Sequence, residues 1–240
     1  MRPLLFLAYK ISMRTTIYID GFNLYYRMLK ARPEYKWLNP LKLAQAVLQP
    51  KHVITRVNYY TARISARPQD PAGPARQAIY LSALNSVPQM AIHEGNFLTS
   101  EPWMSLATPP DARPAGYVWN TPVPGVVKVI KTEEKGSDVN LATHLVRDAF
   151  LNTFDVAVLL TNDSDLVEPI KVVRKETGKD VGLLVPVKYP NASLTAAASF
   201  VLHLRPGHLA QAQFPQVLAL PDGKVVQRPP SWIAPPSPTT

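Results

Sequence analysis

The 240-residue chain reads as an α/β protein, a three-layer α/β/α sandwich around a mainly parallel central sheet. Three observations predict this. Short apolar runs such as Val156-Ala157-Val158-Leu159-Leu160 stop abruptly at polar turns, as buried parallel strands do. These runs alternate with segments of helical periodicity, the pattern of strands joined by crossover helices. Aspartate stands at the end of one run after another, and ligands of open parallel sheets sit beyond the carboxyl ends of the strands.

The elements follow in order. Thr15-Thr16-Ile17-Tyr18-Ile19 is β-prone and ends at Asp20-Gly21, after which Phe22, Tyr25, Tyr26 and Leu29 recur with helical spacing. Asn39-Pro40 supplies an N-cap followed by proline at the first helical position, which opens a helix through Leu48. Val53 to Ala62 is a second strand, residues 67–74 a loop, Ala75 to Asn85 a helix and Met90 to Leu98 a third strand. Residues 99–125 are proline-rich and aperiodic and read as an insertion carrying Trp103, Tyr117 and Trp119. Val126 to Lys131 is then a strand and Ser137 to Phe150 a helix, with Val139, Ala142, Leu145, Val146 and Ala149 on its apolar stripe. The strand at 155–160 leads to a helix from Leu166 to Glu176, closed by Gly178. Asp180 to Val185, a short helix at 192–199 and a short strand at 200–204 complete the pattern. The expected organisation is a leader at 1–13, one domain at 14–205, and a C-terminal helix and proline-rich tail at 206–240 that is extended from Pro215 onward.

Composition narrows the chemistry. Cysteine is absent, which excludes disulfides, thiolate metal sites and a cysteine nucleophile and fits a reducing cytoplasm. Any metal must be held by oxygen or histidine. The net charge of +9, from 26 basic and 17 acidic residues, favours a polyanionic partner, nucleic acid first. The apolar stretch Leu4 to Tyr9 is too short for a signal peptide, and no stretch is long enough to span a membrane, so a cytoplasmic protein is expected.

Asp20, Asp138, Asp163 and Asp165 share one kind of position: strand ends, or the helix start that follows one. In neighbouring parallel strands all four would meet at one sheet edge, where like charges repel strongly unless a cation lies between them. All-oxygen ligation favours Mg²⁺ or Mn²⁺ over zinc. Each acid also has a structural role open to it. Asp165 with Glu168 fits a capping box, Asp138 suits the first turn of a helix capped by Ser137, and Asp20-Gly21 fits a turn. Asn23 would cap the following helix or orient Asp20 and a ligand. Thr161, Asn162 and Ser164 surround the central acids and can hydrogen-bond them or a phosphate. Glu133, Glu134 and Lys135 form a charge run beside Asp138, from which Lys135 can reach a phosphate. Tyr25, Tyr26, Arg27, Lys30, Tyr59, Tyr60, Arg63 and Arg67 are candidates for stacking on bases and holding phosphates, about half of the tyrosines being core residues instead.

Three ordered stretches carry a resemblance to a known family. Ile17-Tyr18-Ile19-Asp20-Gly21-Phe22-Asn23-Leu24-Tyr25 resembles the opening motif of NYN domains, members of the PIN-like nuclease superfamily. Lys131 to Ala142 is similar to their middle motif, and Thr161-Asn162-Asp163-Ser164-Asp165-Leu166 to their third, with Asn162 where many relatives have glycine. The resemblance covers about residues 14–205. It implies a PIN-like, Rossmann-like sandwich, dependence on Mg²⁺ or Mn²⁺, and cleavage of RNA. It carries over Asp20, Asp138, Asp163 and Asp165 as metal-binding and catalytic residues, with Asn23 beside them. The expected function is a metal-dependent ribonuclease, with Asn23, Lys135, Thr161, Asn162, Ser164, Arg27, Tyr26 and Arg63 contacting substrate. The substrate is single-stranded or structured RNA, DNA not being excluded. The alternative is a catalytically weak RNA-binding or regulatory adaptor of the same fold. The oligomeric state is left open, a homodimer included.

Overall fold

Alternation along β1 (Met13–Asp20) sends Ile17 and Ile19 to one face of a sheet and Tyr18 to the other, and all three are buried. A strand buried on both faces needs a layer on each side. The computed structural model, which describes residues 12–108, 111 and 116–233, has both layers. The elements after β1 are α1 (Gly21–Leu24), which runs into a π-helical turn at Tyr25–Leu29, α2 (Pro40–Val47), β2 (His52–Ala62), α3 (Gly73–Asn85) and β3 (Met90–Ser100). Then come β4 (Trp103–Ser105), β5 (Val126–Lys128), β6 (Lys131–Lys135), α4 (Ser137–Phe150), β7 (Val156–Leu160), α5 (Val167–Thr177) and β8 (Asp180–Val185). The described chain closes with α6 (Ala192–Ala197), β9 (Phe200–His203), α7 (Pro206–Gln211), β10 (Val217–Ala219) and β11 (Val225–Gln227).

The seven-stranded sheet has the order β6-β3-β2-β1-β7-β8-β9, every pairing parallel except β3 with β6. One core gathers Leu24, Trp37, Leu43, Tyr80, Leu84 and Leu209 from α1, α2, α3, α7 and their connections against Ile17, Ile19, Val156 and Val158. The other packs Leu141 and Leu145 of α4, Ile170 and Val173 of α5, and Leu194 of α6 against Tyr18, Ala157, Leu159 and Leu183. This is the three-layer sandwich read from the sequence. Local signals act as expected at several ends. The Asn39 side chain accepts from the Lys42 amide ahead of α2, and Gly178 takes a left-handed φ of 67° to close α5.

Three expectations are corrected. The strand expected over 126–131 is two strands, because Pro124-Gly125 and the residues between β5 and β6 let the chain fold back on itself. β5 pairs with β4 in a separate two-stranded ribbon, and β6 returns antiparallel along the outer end of β3, Asn96 opposite Lys135 and Ser100 opposite Lys131. Residues 99–125 are therefore partly strand. The stretch beyond Pro215, expected to be extended, forms the β10–β11 hairpin and a 3₁₀ turn at Pro230–Trp232. It is held because the Trp37 indole donates to the Pro215 carbonyl at 2.7 Å, while Phe214 and Trp232 pack their rings against Trp37. Tyr59 and Tyr60, offered as base-stacking candidates, are buried in the two cores. Residues 1–11, most of the expected leader, lie outside the described residues, and Met13 pairs with His52 in β1. Among the described residues, no helix is long and apolar enough to cross a membrane.

Gly182 in β8 faces Phe200 of β9, whose ring occupies the space a Cβ would fill. Gly182→Ala should therefore overpack the sheet at a cost of about 1–3 kcal/mol. For a chain of this size that lowers the midpoint by several degrees, about 2–4 °C per kcal/mol. Thermal denaturation followed by circular dichroism checks this, and an unchanged midpoint would mean that Phe200 moves aside freely.

Candidate active site

The acids arrive at one edge by different routes. Asp20 is the last residue of β1 and the cap of α1. Its Oδ1 accepts from the Asn23 amide at 2.8 Å and its Oδ2 from the Thr161 hydroxyl at 3.2 Å. Thr161 directly follows β7, the neighbour of β1, so the two strand ends are tied to each other through this carboxylate. Gly21 is obligatory at the turn: a Cβ there would lie 2.6 Å from the Tyr60 carbonyl oxygen. Burial pushes the Asp20 carboxyl up from its ordinary range, the Asn23 and Thr161 hydrogen bonds pull it down, and the charge of Asp163 raises it again.

Asp163 and Asp165 follow β7. The capping roles differ from the expected ones. Asp163, not Asp165, is the cap: its Oδ1 accepts from the Asp165 amide at 3.0 Å, and its own amide donates to the Thr161 hydroxyl at 3.1 Å. A 3₁₀ turn at Ser164–Leu166 separates Asp165 from α5, so the expected box with Glu168 does not form.

Asp138 lies in the first turn of α4. The strand before it is antiparallel rather than parallel, yet the destination is the same. β3 runs past the edge of its parallel neighbours, β6 descends along this overhang, and Gly136, at φ 99°, turns the chain into α4 at the level of the edge. Ser137 is not the N-cap. Its amide and hydroxyl both donate to Glu134, at 3.0 and 2.7 Å, so Glu134 holds this helix start. The Asp138 carboxyl is pushed up to about 6, first by burial, then by the charges of Asp20, Asp163, Glu134 and Asp165. Its field thus registers all three other aspartates at once.

The remaining candidates divide. Asn23 is half-buried, and its Oδ1 is a buried acceptor without a partner. Asn162 accepts from the Asn191 amide at 2.9 Å and so joins the acid loop to the loop after β8. Ser164 is exposed beside Asp165. Lys135 is exposed, 3.6 Å from Glu133. Arg63 is engaged by Glu94 through two hydrogen bonds of 2.7 and 2.8 Å, which neutralise it. Tyr26 and Arg27 are exposed on the helical turn after α1 and line a cleft beside the acids. The role of Glu134 is hidden within its charge run. Its capping geometry depends on a left-handed turn at Gly136, and the Gly136-Ser137 pair is the one local signal for it. Arg32 and Lys188, which line the same cleft, carry no signal in the sequence, because their proximity is created by tertiary packing.

The donor set suits a hard divalent cation: oxygen ligands only, partly buried, with like charges as the largest electrostatic influence on Asp138. Among the described residues, no three His, Asp or Glu side chains are placed to share one ion. Mg²⁺ commonly takes one or two carboxylates and completes its shell with water and phosphate oxygens, so it does not require three from the protein.

The family profile described as "NYN domain" matches residues 110–204, the span that carries Asp138, Asp163 and Asp165. The chain is also 32% identical to the 6-hydroxy-3-succinoylpyridine 3-monooxygenase HspA of Pseudomonas putida, over 93% of this chain and 77% of that protein. The chain belongs to the NYN domain family. A crystal structure of a protein of unknown function from Vibrio parahaemolyticus superposes with a TM-score of 0.49 and 13% identity, covering 89% of this chain and 100% of that one.

A stability prediction follows from Asp138. Its folded-state pKa of about 6 lies above the ordinary 3.8. At pH below about 4 the group is protonated in both states and has no effect. As pH rises through 6, the folded state must carry a charge that the unfolded chain carries more easily, so stability falls across this window. Asp138→Asn should therefore be more stable than wild type at pH 7, by about 1 kcal/mol for a group that is half-exposed, and equal to it near pH 4. Urea denaturation at both pH values without divalent ions measures this. A less stable variant at pH 7 would contradict the repulsion.

Proposed function

We propose that this protein is a divalent-metal-dependent hydrolase of RNA phosphodiester bonds. What supports the reading is that Asp20 ends β1, that Asp163 and Asp165 follow its neighbour β7, and that Asp138 starts α4 near enough for their charges to raise its carboxyl. Membership of the NYN family and the basic net charge support it. Carboxylates drawn from these four, one or two to an ion with water completing its shell, would hold Mg²⁺ or Mn²⁺, which when bound supplies Lewis acidity and lowers the pKa of a coordinated water.

The chain's own residues do the rest. Thr161 and the Asn23 amide fix both oxygens of Asp20, so its carboxylate is set before substrate arrives. Asn23 Oδ1 is a buried acceptor without a partner beside Asp20, so its side chain positions that carboxylate rather than the substrate. Asp138 is held at the start of α4, where it would serve as a ligand rather than as a base. Attack by water needs no ribose 2′-hydroxyl nucleophile, and the products are a 5′-phosphate and a 3′-hydroxyl.

A second reading rests on a specific observation. Identity to the Pseudomonas putida enzyme extends over 93% of the chain, well beyond the span matched by the NYN profile. On that reading the protein hydroxylates a pyridine-ring acid of the kind in that enzyme's name, using oxygen and an external reductant. Oxygen uptake on adding 6-hydroxy-3-succinoylpyridine with a reduced nicotinamide or flavin would favour it. The adaptor reading gains support if RNA binds in EDTA and no divalent ion elicits cleavage.

The nuclease reading is tested with purified wild type and Asp163→Asn on single-stranded RNA, structured RNA and DNA, with and without Mn²⁺, mapping the product ends. Wild type should cleave RNA in Mn²⁺ only, with the variant reduced on the order of 100-fold or more. Equal degradation by both would remove Asp163 from the site.

A further inference from the structure

Beside the acids lies a second feature of the same sheet edge. A cleft of about 630 Å³ opens between the helical turn after α1, the loop after β8 and the residues after β9. Its walls carry Tyr26, Arg27, Arg32 and Lys188, its floor includes Met28 and Leu204, and no carboxylate lines it. Arg14, Arg63, Arg76, Lys128, Lys131 and Arg147 are paired with acids, whereas no ion pair among the described residues uses Arg27, Arg32 or Lys188. Tyr26 is 53% exposed and edge-on to Tyr25, with Lys30 above its ring at 5.1 Å. The cleft is joined to the acid loop by the Asn191 amide bonded to Asn162, three residues beyond Lys188.

We infer that this cleft is a subsite for an unpaired nucleotide of single-stranded RNA, next to the phosphate that is cut. Arg27, Arg32 and Lys188 take phosphates of the strand, and Tyr26 stacks on one base over an apolar floor. The volume is that of a small-ligand site, roughly 300–1,000 Å³, which admits a splayed nucleotide. Stacking on Tyr26 requires a free base face, and unpaired cations bind phosphates without first breaking internal ion pairs. Repulsion from the acidic cluster keeps the strand's phosphates in the basic cleft except where a cation accompanies them. The inference rests on the nuclease reading only for the role of the acids.

Binding separates the two. Full-length Asp163→Asn protein in EDTA is titrated against a fluorescently labelled 12-nucleotide oligouridylate, single-stranded and annealed to its complement, by anisotropy at several salt concentrations. Arg32→Ala, Lys188→Glu and Tyr26→Ala are made in that background, with Lys171→Ala on α5 as a control that removes one positive charge, as Arg32→Ala does. Arg32→Ala and Lys188→Glu should each weaken single-strand binding about 5- to 20-fold, and the salt slope should fall by about 0.7 for each phosphate released from the protein. Tyr26→Ala should weaken it on the order of 10-fold with the slope unchanged. Lys171→Ala should bind like the parent, and the duplex should bind no better than the single strand. The inference is overturned if Lys188→Glu and Arg32→Ala bind like the parent, if Lys171→Ala loses as much as they do, or if 6-hydroxy-3-succinoylpyridine displaces the oligonucleotide. Weakened binding in these variants together with no cleavage by wild type leaves the subsite standing and removes the nuclease reading. Parent-like binding in them with active wild type removes the subsite alone.

Discussion

Two hydrogen bonds to one buried carboxylate set the geometry of the whole functional edge. Asp20 is 5% exposed and takes the Asn23 amide on one oxygen and the Thr161 hydroxyl on the other. The first bond starts α1 and aims the helical turn that bears Tyr26 and Arg27. The second fixes the end of β7 against the end of β1. From Thr161 the same hydroxyl accepts from the Asp163 amide, so Asp163 is placed by the residue that holds Asp20. A carboxylate so confined resists ionisation, and these donors are what hold it charged.

Much of the fold was legible because its signals are local. Val156 to Leu160 is buried on both faces and could only be a central strand, and α4 has the bounds that its apolar stripe suggested. Asn39 and Gly178 cap their helices through interactions spanning a few residues, which a sequence displays directly. The antiparallel return of β6 was not legible, since strand direction depends on a partner far away in the chain. Nor was the ordering of the proline-rich end, which depends on Trp37, 178 residues before the Pro215 carbonyl that it binds.

The site divides along the same line. That aspartates end the strands is written in the sequence. Which of them caps, and which stands free to bind, is decided by a single turn: the 3₁₀ geometry after Asp163 gives that residue the capping bond and releases Asp165 from it. Asp138 comes within reach of the other acids' charges by a route other than the expected one. Its position depends on β3 overhanging its neighbours and on Glu134 holding the start of α4. The basic cleft was half visible, as Tyr26 and Arg27. Lys188 joins them only because β1 and β8 end at the same level of the sheet.

The Trp37 clamp changes what counts as the folding unit. Trp37 is fully buried, and its cover comes from Phe214, Pro215 and Trp232, while Asn39 takes the Ala212 carbonyl on its amide and Arg228 reaches the Glu34 carbonyl. All of these partners lie beyond residue 204, the last residue of the NYN profile match, although likeness to the Pseudomonas putida enzyme extends over 93% of the chain. The chain that must fold together is therefore longer than the profile. A piece ending at residue 204 would keep every candidate acid and lose the lid of its own core, presenting a bare indole where the intact protein has a closed wall.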